Sequence, residues 1–463
     1  MAGPLAPLPP LCSGLTRNLM RPQLDKHRSH TAGTQASGGS TFFRSSVHRD
    51  SIHEPKRGRP MKKEGNVFTK GSTRRSFLKN GTVAGAATVG AGLLTGNTFA
   101  FDEEAGVERA PITRGDVAIL RFLQALEQVE EDLWRQYAEL GGTQDNEFSG
   151  LTGGNAAYSQ ALQLLDGDMP QYIHDNTDDE ISHARFLGNY LESKGAGSAD
   201  LTRFKVLPSS TADGAQQIGR LTNLTQLTID TSFWSRYRSI TNPDFDPKAQ
   251  FAQAVPSLNV NQHTAIPRSN ADTNGSVINL NDPTQSTFTD HLKAIAFTAG
   301  FHFAFIEQGG TSLYPALAQH VTNLEVLRIL LSIGPSETMH FQTWQDKAGN
   351  ATPLTDVDPV NHSTVTFSTL SAAQGETDPE SLNGDTLQSN LIMPEPTHFL
   401  DQKFGPVAII RPTSIAFGGA VASVQSFVTD GLFINPKTNK NDTGIVQALM
   451  RLAEEADQAR RQL

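Results

Sequence analysis

Apolar positions along the chain fall into four long stretches that repeat at helical spacing, each bounded by residues that stop a helix. The first runs from about Thr113 to Leu140, where Ile119, Leu123, Leu126, Leu133 and Tyr137 line one face and Gly141-Gly142 end it. The second runs from about Ala156 to Ser193, is interrupted near Pro170, and ends at Lys194-Gly195. The third starts near Thr289, holds the apolar run from Ala294 to Ile306, and meets Pro315. The fourth spans about Asn323 to Lys347 and stops at Gly349. Short loops join the first to the second and the third to the fourth, while residues 197–286, rich in Thr, Asn, Ser, Asp and Pro, join the second to the third. Two helical hairpins linked by one long crossover predict a mainly α fold, a four-helix bundle over residues 101–348 with a crossover insertion at 197–286. Within the crossover, Val277-Ile278-Asn279-Leu280 suggests a little strand or irregular structure. Residues 349–463 predict an irregular, polar C-terminal extension with short apolar runs such as Val407-Ala408-Ile409-Ile410, closed by an amphipathic helix from about Thr443 to Leu463.

Charge sharpens this picture. The first hundred residues hold 15 of the 38 Lys and Arg but 4 of the 48 Asp and Glu, so the rest of the chain carries 23 basic residues against 44 acidic ones. A body this acidic repels nucleic acid and anionic lipid, which argues against both as partners and leaves metal cations as the natural small ones. The single cysteine is Cys12, so disulfides and thiolate metal sites are excluded from the body. A metal site here must be built from oxygen and imidazole. The 37% hydrophobic content of 463 residues is ample for a sizeable core.

The N-terminal region reads as an address. Ser72-Thr73-Arg74-Arg75-Ser76-Phe77-Leu78-Lys79 precedes a mildly apolar run from about Val83 to Leu94, then Asn97-Thr98-Phe99-Ala100 and the acidic Phe101-Asp102-Glu103-Glu104. Residues 61–100 thus resemble a twin-arginine export signal, with Arg74 and Arg75 as the pair and a mature chain starting near Phe101. The apolar run is too short and too rich in Gly and Ala for a permanent membrane span. The resemblance implies the twin-arginine export machinery as a partner, metal loading before export, and a periplasmic or extracellular location. Residues 1–60, rich in Pro, Gly, Ser, Arg and His, read as an over-extended gene model upstream of Met61-Lys62-Lys63, or else as a disordered leader.

The chemistry concentrates on the four helices. The second carries Asp179-Glu180-Ile181-Ser182-His183 and the fourth Glu337-Thr338-Met339-His340, so each places a carboxylate and an imidazole three residues apart on one face. The third carries Glu307 on a face shared with Phe303, Gly310 and Tyr314, where an unpaired carboxylate is expensive. The first offers Glu127, Glu130 and Glu131. Glu127 lies seven before Trp134, as Glu307 lies seven before Tyr314, which favours Glu127 as the ligand with Glu130 as its rival. Carboxylate-bridged dinuclear sites in four-helix bundles need one Glu from each of two helices and a Glu-x-x-His from each of the others, and this set supplies all four. A further match, Glu395-Pro396-Thr397-His398, has a proline inside it and reads as a decoy. His174, His291, His302 and His320 lack motif partners and read as ordinary polar or core histidines, and Asp178 and Asp179 as helix capping or solvated residues. Trp134 and Tyr314 are candidate redox aromatics, with packing the plainer role. Pro335, just before the fourth-helix pair, should kink or restart its helix.

These residues resemble the ferritin-like superfamily, and within it the exported ferritin-like domain proteins that include plant desiccation-related and fungal stress proteins. The resemblance runs through Leu126 to Trp134, then Glu180, His183, Leu187 and Gly188, then Glu307, Gly310 and Tyr314, and last Glu337 and His340, over residues 112–348 apart from the crossover. It implies a ferritin-like fold holding two iron or manganese ions through Glu127, Glu180, His183, Glu307, Glu337 and His340. An oxygen-rich set with two imidazoles suits either metal. Oxidation of ferrous iron, disproportionation of peroxide and oxidation of a small organic substrate all fit such a pair. The competing reading is a non-enzymatic stress or desiccation-related protein that keeps the fold alone. Cage-forming iron storage fits less well, because the polar insertions would obstruct packing of subunits.

Overall fold

A computed structural model describes residues 111–146, 149–234, 253–369 and 419–462. The Arg74-Arg75 signal, the Glu395–His398 match and the Val407–Ile410 run lie outside the described residues.

The long helices are α1 (Arg114–Gly141), α3 (Met169–Ser193), α4 (Asp290–Ala318) and α5 (Leu324–Ala348), with the short α2 (Ala156–Leu162) between the first two. Their starts follow from capping. Thr113 and Asp116 form a capping box at α1, Thr289 caps α4 by accepting from the Leu292 N–H, and Asn323 caps α5 by accepting from the Glu325 and Val326 N–H groups. Asp116 also accepts from the backbone of Thr322 and Asn323, tying the start of α1 to the α4–α5 turn. The interrupted second stretch is two helices: Pro170 sits in the first turn of α3, where its missing N–H costs nothing.

Neither Pro315 nor Pro335 ends its helix, so α5 does not restart at Pro335. Pro315 lies inside α4, which continues to Ala318, and α5 runs unbroken through Pro335. At Pro335 the lost bond is the one to the Leu331 carbonyl. Both residues are solvent-exposed, so water can satisfy that carbonyl while the buried side of α5 stays intact.

α1 pairs with α3 and α4 with α5, and the two hairpins face each other across a single apolar core. Helix α4 is apolar nearly all round and sits centrally. Its Phe303 packs on Trp134 of α1, Phe297 on Phe367, Phe301 on Trp234 of the crossover, and Phe305 on Phe427. Ring centroids 4.7–5.2 Å apart join Trp134, Phe303 and Trp344 into one stack across the hairpins. No described helix is long and apolar enough to cross a membrane.

The crossover differs from its composition. Leu201, Leu221, Leu224, Leu227, Ile229, Phe233 and Trp234 are buried in the same core as the helices. Val277, by contrast, makes only an isolated bridge to Thr287, and Val277 and Leu280 are exposed. One polar stripe of α1 holds the crossover down. Gln124 and Gln128 bond the backbone of residues 199–201, Asp132 accepts from the backbone of Leu221 and Thr222, Gln136 donates to Thr222, and Glu139 pairs with the buried Arg220. Past the bundle lie a β1–β2 hairpin (Leu354–Val357, Thr364–Phe367), α6 (Ala420–Thr429), a β3–β4 hairpin (Ile434–Asn435, Lys440–Asn441) and α7 (Thr443–Asp457). The final helix ends at Asp457, before the expected Leu463, and lays Ile445, Leu449, Leu452, Ala453 and Ala456 against the core beside α1.

Candidate metal centre

Midway along the bundle, one glutamate from each long helix and the two motif histidines converge. Two overlapping groups result. Glu127, Glu180, His183 and Glu337 bring ligand atoms within 4.8 Å of one another, and so do Glu180, Glu307, Glu337 and His340. Glu180 and Glu337 belong to both groups. Nδ1 of His183 lies 3.4 Å from Glu127, 3.2 Å from Glu180 and 3.2 Å from Glu337. Nδ1 of His340 lies 3.2 Å from both Glu180 and Glu307. Glu130 belongs to neither group. It is buried in a small recess with Glu127, Gly310, Tyr314 and Phe427.

The spacing shared by α1 and α4 becomes a reciprocal exchange in space. Trp134, seven residues after Glu127, donates its indole N–H to Glu307 Oε1 at 2.9 Å. Tyr314, seven residues after Glu307, donates its hydroxyl to Glu127 Oε1. Both aromatics therefore orient carboxylates of the opposite hairpin in addition to packing. Asn176, one turn before Glu180, donates to Glu180 and Glu307 and accepts from Trp344 Nε1.

The outer imidazole nitrogens are also held. Asp179 Oδ2 lies 3.0 Å from His340 Nε2, so this solvent-exposed carboxylate also stands beside the centre. Ser336 Oγ lies 3.2 Å from His183 Nε2 and donates to the Ile333 carbonyl. A partner on Nε2 fixes ring orientation and leaves Nδ1 facing inward, the arrangement that metal-binding histidines favour. Sequence patterns missed Asp179, Ser336 and Asn176. A carboxylate directly before Glu180 was the one visible hint, since a position next to a motif on a helix can reach around its rim.

The glycines of the motif make room. A Cβ on Gly310 would stand 2.7 Å from Glu337 Oε2, and one on Gly334 would stand 2.8 Å from the Cβ of Tyr314. Both glycines therefore set how closely α4 and α5 approach at the site.

Electrostatically the cluster is under-compensated. Burial raises the pKa of Glu180 to about 7, with Glu307 and Glu127 adding to the rise. Glu337 and Glu130 are pushed well above the usual carboxylate range by burial and by neighbouring carboxylates. Burial would raise Glu127 too, but the His183 charge beside it brings it below its ordinary value. Burial works against charge on both imidazoles, yet the surrounding glutamates outweigh it and hold His183 and His340 well above the ordinary histidine range. Glu127 Oε2 and both Glu337 oxygens are buried without a well-formed hydrogen bond: the His183 ring lies 3.4 Å from the first and 3.2 Å from Glu337 Oε1, and Glu337 Oε2 has no donor. Orphaned carboxylate oxygens aimed at one spot are costly unless a cation completes them. The residues thus fit metal cations.

The other histidines sit elsewhere. His302 is buried with its Nδ1 2.6 Å from the Tyr137 hydroxyl, and burial lowers it to about 3, so it is neutral. His174 lies 3.1 Å from Asp145, and His291 lies between Asp272 and Asp356 in an ion-pair network with Arg268.

A family model described as a ferritin-like domain matches residues 115–349, just over half of the chain. Neither a curated protein nor a solved structure matches it. Its two helical hairpins, the four glutamates between them and the model match lead to one conclusion: the chain belongs to the ferritin-like domain family.

Proposed function

We propose that this protein holds two iron or manganese ions through Glu127, Glu180, His183, Glu307, Glu337 and His340, and that the centre is redox-active with oxygen or peroxide. The observation that carries the proposal is the charge imbalance: four buried glutamates face two imidazoles, and three of their oxygens make no well-formed hydrogen bond. Two divalent ions would balance four carboxylates. A bundle core serving structure alone would be more stable if apolar, and the thiolates typical of structural zinc are lacking in this ligand set. Iron or manganese would supply one-electron steps at each ion.

The chain's own residues divide the remaining tasks. Glu180 and Glu337, common to both groups, would be shared between the ions. Trp134, Asn176 and Tyr314 hold the outer carboxylate oxygens in place. Asp179 and Ser336 hold the imidazoles, and the Trp134–Phe303–Trp344 stack keeps bulk water from one side. Stopped-flow absorbance after mixing the ferrous or manganous protein with oxygen and, separately, peroxide tests this. Oxidation that disappears in Glu307→Ala is expected. A loaded centre that stays silent with both oxidants would overturn the redox reading.

The location proposed for this chemistry is outside the cytoplasm. Its support is the Arg74-Arg75 segment together with the shift from a basic first hundred residues to an acidic body. Replacing both arginines with lysine should strand the precursor in the cytoplasm, and unchanged export of that variant would contradict the proposal.

A further inference from the structure

Directly outside His183, between α3 and α5, lies an open cavity of about 510 Å³ lined by Ser182, His183, Arg185, Phe186, Asn189 and Ile333 among others. That volume suits a small organic molecule rather than an ion or water alone. Its apolar surface comes from Ile333 and from Phe186, which is half-exposed and stacked on Tyr190 at 6.4 Å. An exposed aromatic beside a cavity presents a face for a ring or chain to cover.

Arg185 gives the cavity its charge preference. The protein body is strongly acidic, yet no acid stands three or four residues from Arg185 on its helix, where Ile181, Ser182, Gly188 and Asn189 occupy those positions. Among the described residues Arg185 has no hydrogen-bonded or ion-paired partner. The nearby lysine, Lys194, by contrast, is paired with Glu325 at 2.7 Å. A guanidinium left unpaired at this cavity, with the Asn189 amide beside it, is suited to a carboxylate, which it can hold by two parallel bonds.

We propose that this cavity binds a small amphipathic organic anion, with the carboxylate on Arg185 and an aromatic or aliphatic body against Phe186 and Ile333. His183 forms the wall between such a ligand and the metal centre, since the same ring lines the cavity and places Nδ1 within 3.2–3.4 Å of three centre carboxylates. As a substrate class for the centre, the proposal rests on the redox reading above. As a binding site it does not.

Calorimetric titration of the full chain with phenylacetate, and with 2-phenylethanol as a neutral control, tests it. The titrations are run on metal-free and on manganese-loaded protein. Saturable binding of phenylacetate is expected in both states, weaker by about tenfold for the neutral alcohol and for Arg185→Gln, as for loss of one charge-assisted pair at a partly exposed site. Phe186→Ala should weaken both probes, and Arg451→Gln, on α7, should weaken neither. Arg185 and Phe186 are exposed, so neither change threatens folding. Binding that is absent in the wild type, or unchanged in Arg185→Gln, would overturn the proposal. Phenylacetate binding to a chain that takes up neither manganese nor ferrous iron would leave this site standing and remove the metal reading instead.

Discussion

The two imidazoles of the centre are equally exposed, with 11% of each side chain accessible, yet they sit in unlike company. His183 leans on a neutral hydroxyl, Ser336, opens onto the α3–α5 cavity, and neighbours Glu127, which a single donor from Tyr314 holds. His340 leans on a carboxylate, Asp179, and neighbours Glu307, which Trp134 and Asn176 both hold beneath the aromatic stack. A carboxylate behind an imidazole makes the ring a stronger ligand, and two donors fix Glu307 more firmly than one fixes Glu127. The comparison teaches that a pattern symmetric in sequence has become two chemically unequal positions. On the proposals above, the His340 side would retain an ion and the His183 side would face small molecules.

The largest expected effect comes from what both sides share. Glu337→Ala should lose both ions, because its carboxylate belongs to both groups, and Gly310→Ala should act in the same direction through its clash with that carboxylate. Glu130→Gln and Glu395→Ala should keep both. Metal analysis of the purified variants decides, and a Glu337→Ala protein with full metal content would break the shared-ligand account.

Next is the inequality itself. Asp179→Asn should weaken one of two calorimetric binding steps by about tenfold, the low end of effects for groups behind a metal ligand, because Asp179 is itself half-exposed. Ser336→Ala should weaken the other step by less. Equal effects of the two changes would erase the distinction.

A smaller effect is expected on folding. Trp134→Phe removes one buried donor from Glu307 and should lower the stability of the metal-free chain by about 1–3 kcal/mol in denaturant titration. Tyr314→Phe should do the same for Glu127, and two variants as stable as the parent would show that neither bond matters.

The smallest lies outside the centre and serves as its control. Burial opposes charge on His291, but Asp272 and Asp356 outweigh it and raise the ring to about 9. A raised histidine stabilises the fold fully below its ordinary value of 6.5, and that contribution fades as pH rises through about 9. His291→Gln should flatten the fall in melting temperature between neutral pH and about pH 9, with metal content unchanged.

Much of this was legible in the chain. Helical spacing alone sets Glu180 beside His183 and Glu337 beside His340, and the loop lengths alone pair α1 with α3 and α4 with α5. The choice between Glu127 and Glu130 is less local. Both are buried on α1, and only the packing against α3 and α4 decides which one meets His183. The crossover hid its core residues because they are scattered singly among Thr, Asn and Ser, with no period to reveal them. Pro335 does not restart α5, because a proline's cost depends on whether the freed carbonyl meets water, which sequence does not state. The role of Asp179 was no more than hinted at for a similar reason: its partner comes from another helix.

Counting the ions bound per chain in the wild type, in His183→Ala, in His340→Ala and in the double variant goes most directly to the central point. Each protein is purified from its natural compartment and analysed by elemental mass spectrometry alongside a circular-dichroism check that the bundle is intact. Iron or manganese should be present at two ions per chain in the wild type, matching the two groups of ligand atoms, with the count falling in either variant and most of the metal gone when both histidines are replaced. A folded wild type that carries no iron or manganese, or the same content in all four proteins, would contradict the account.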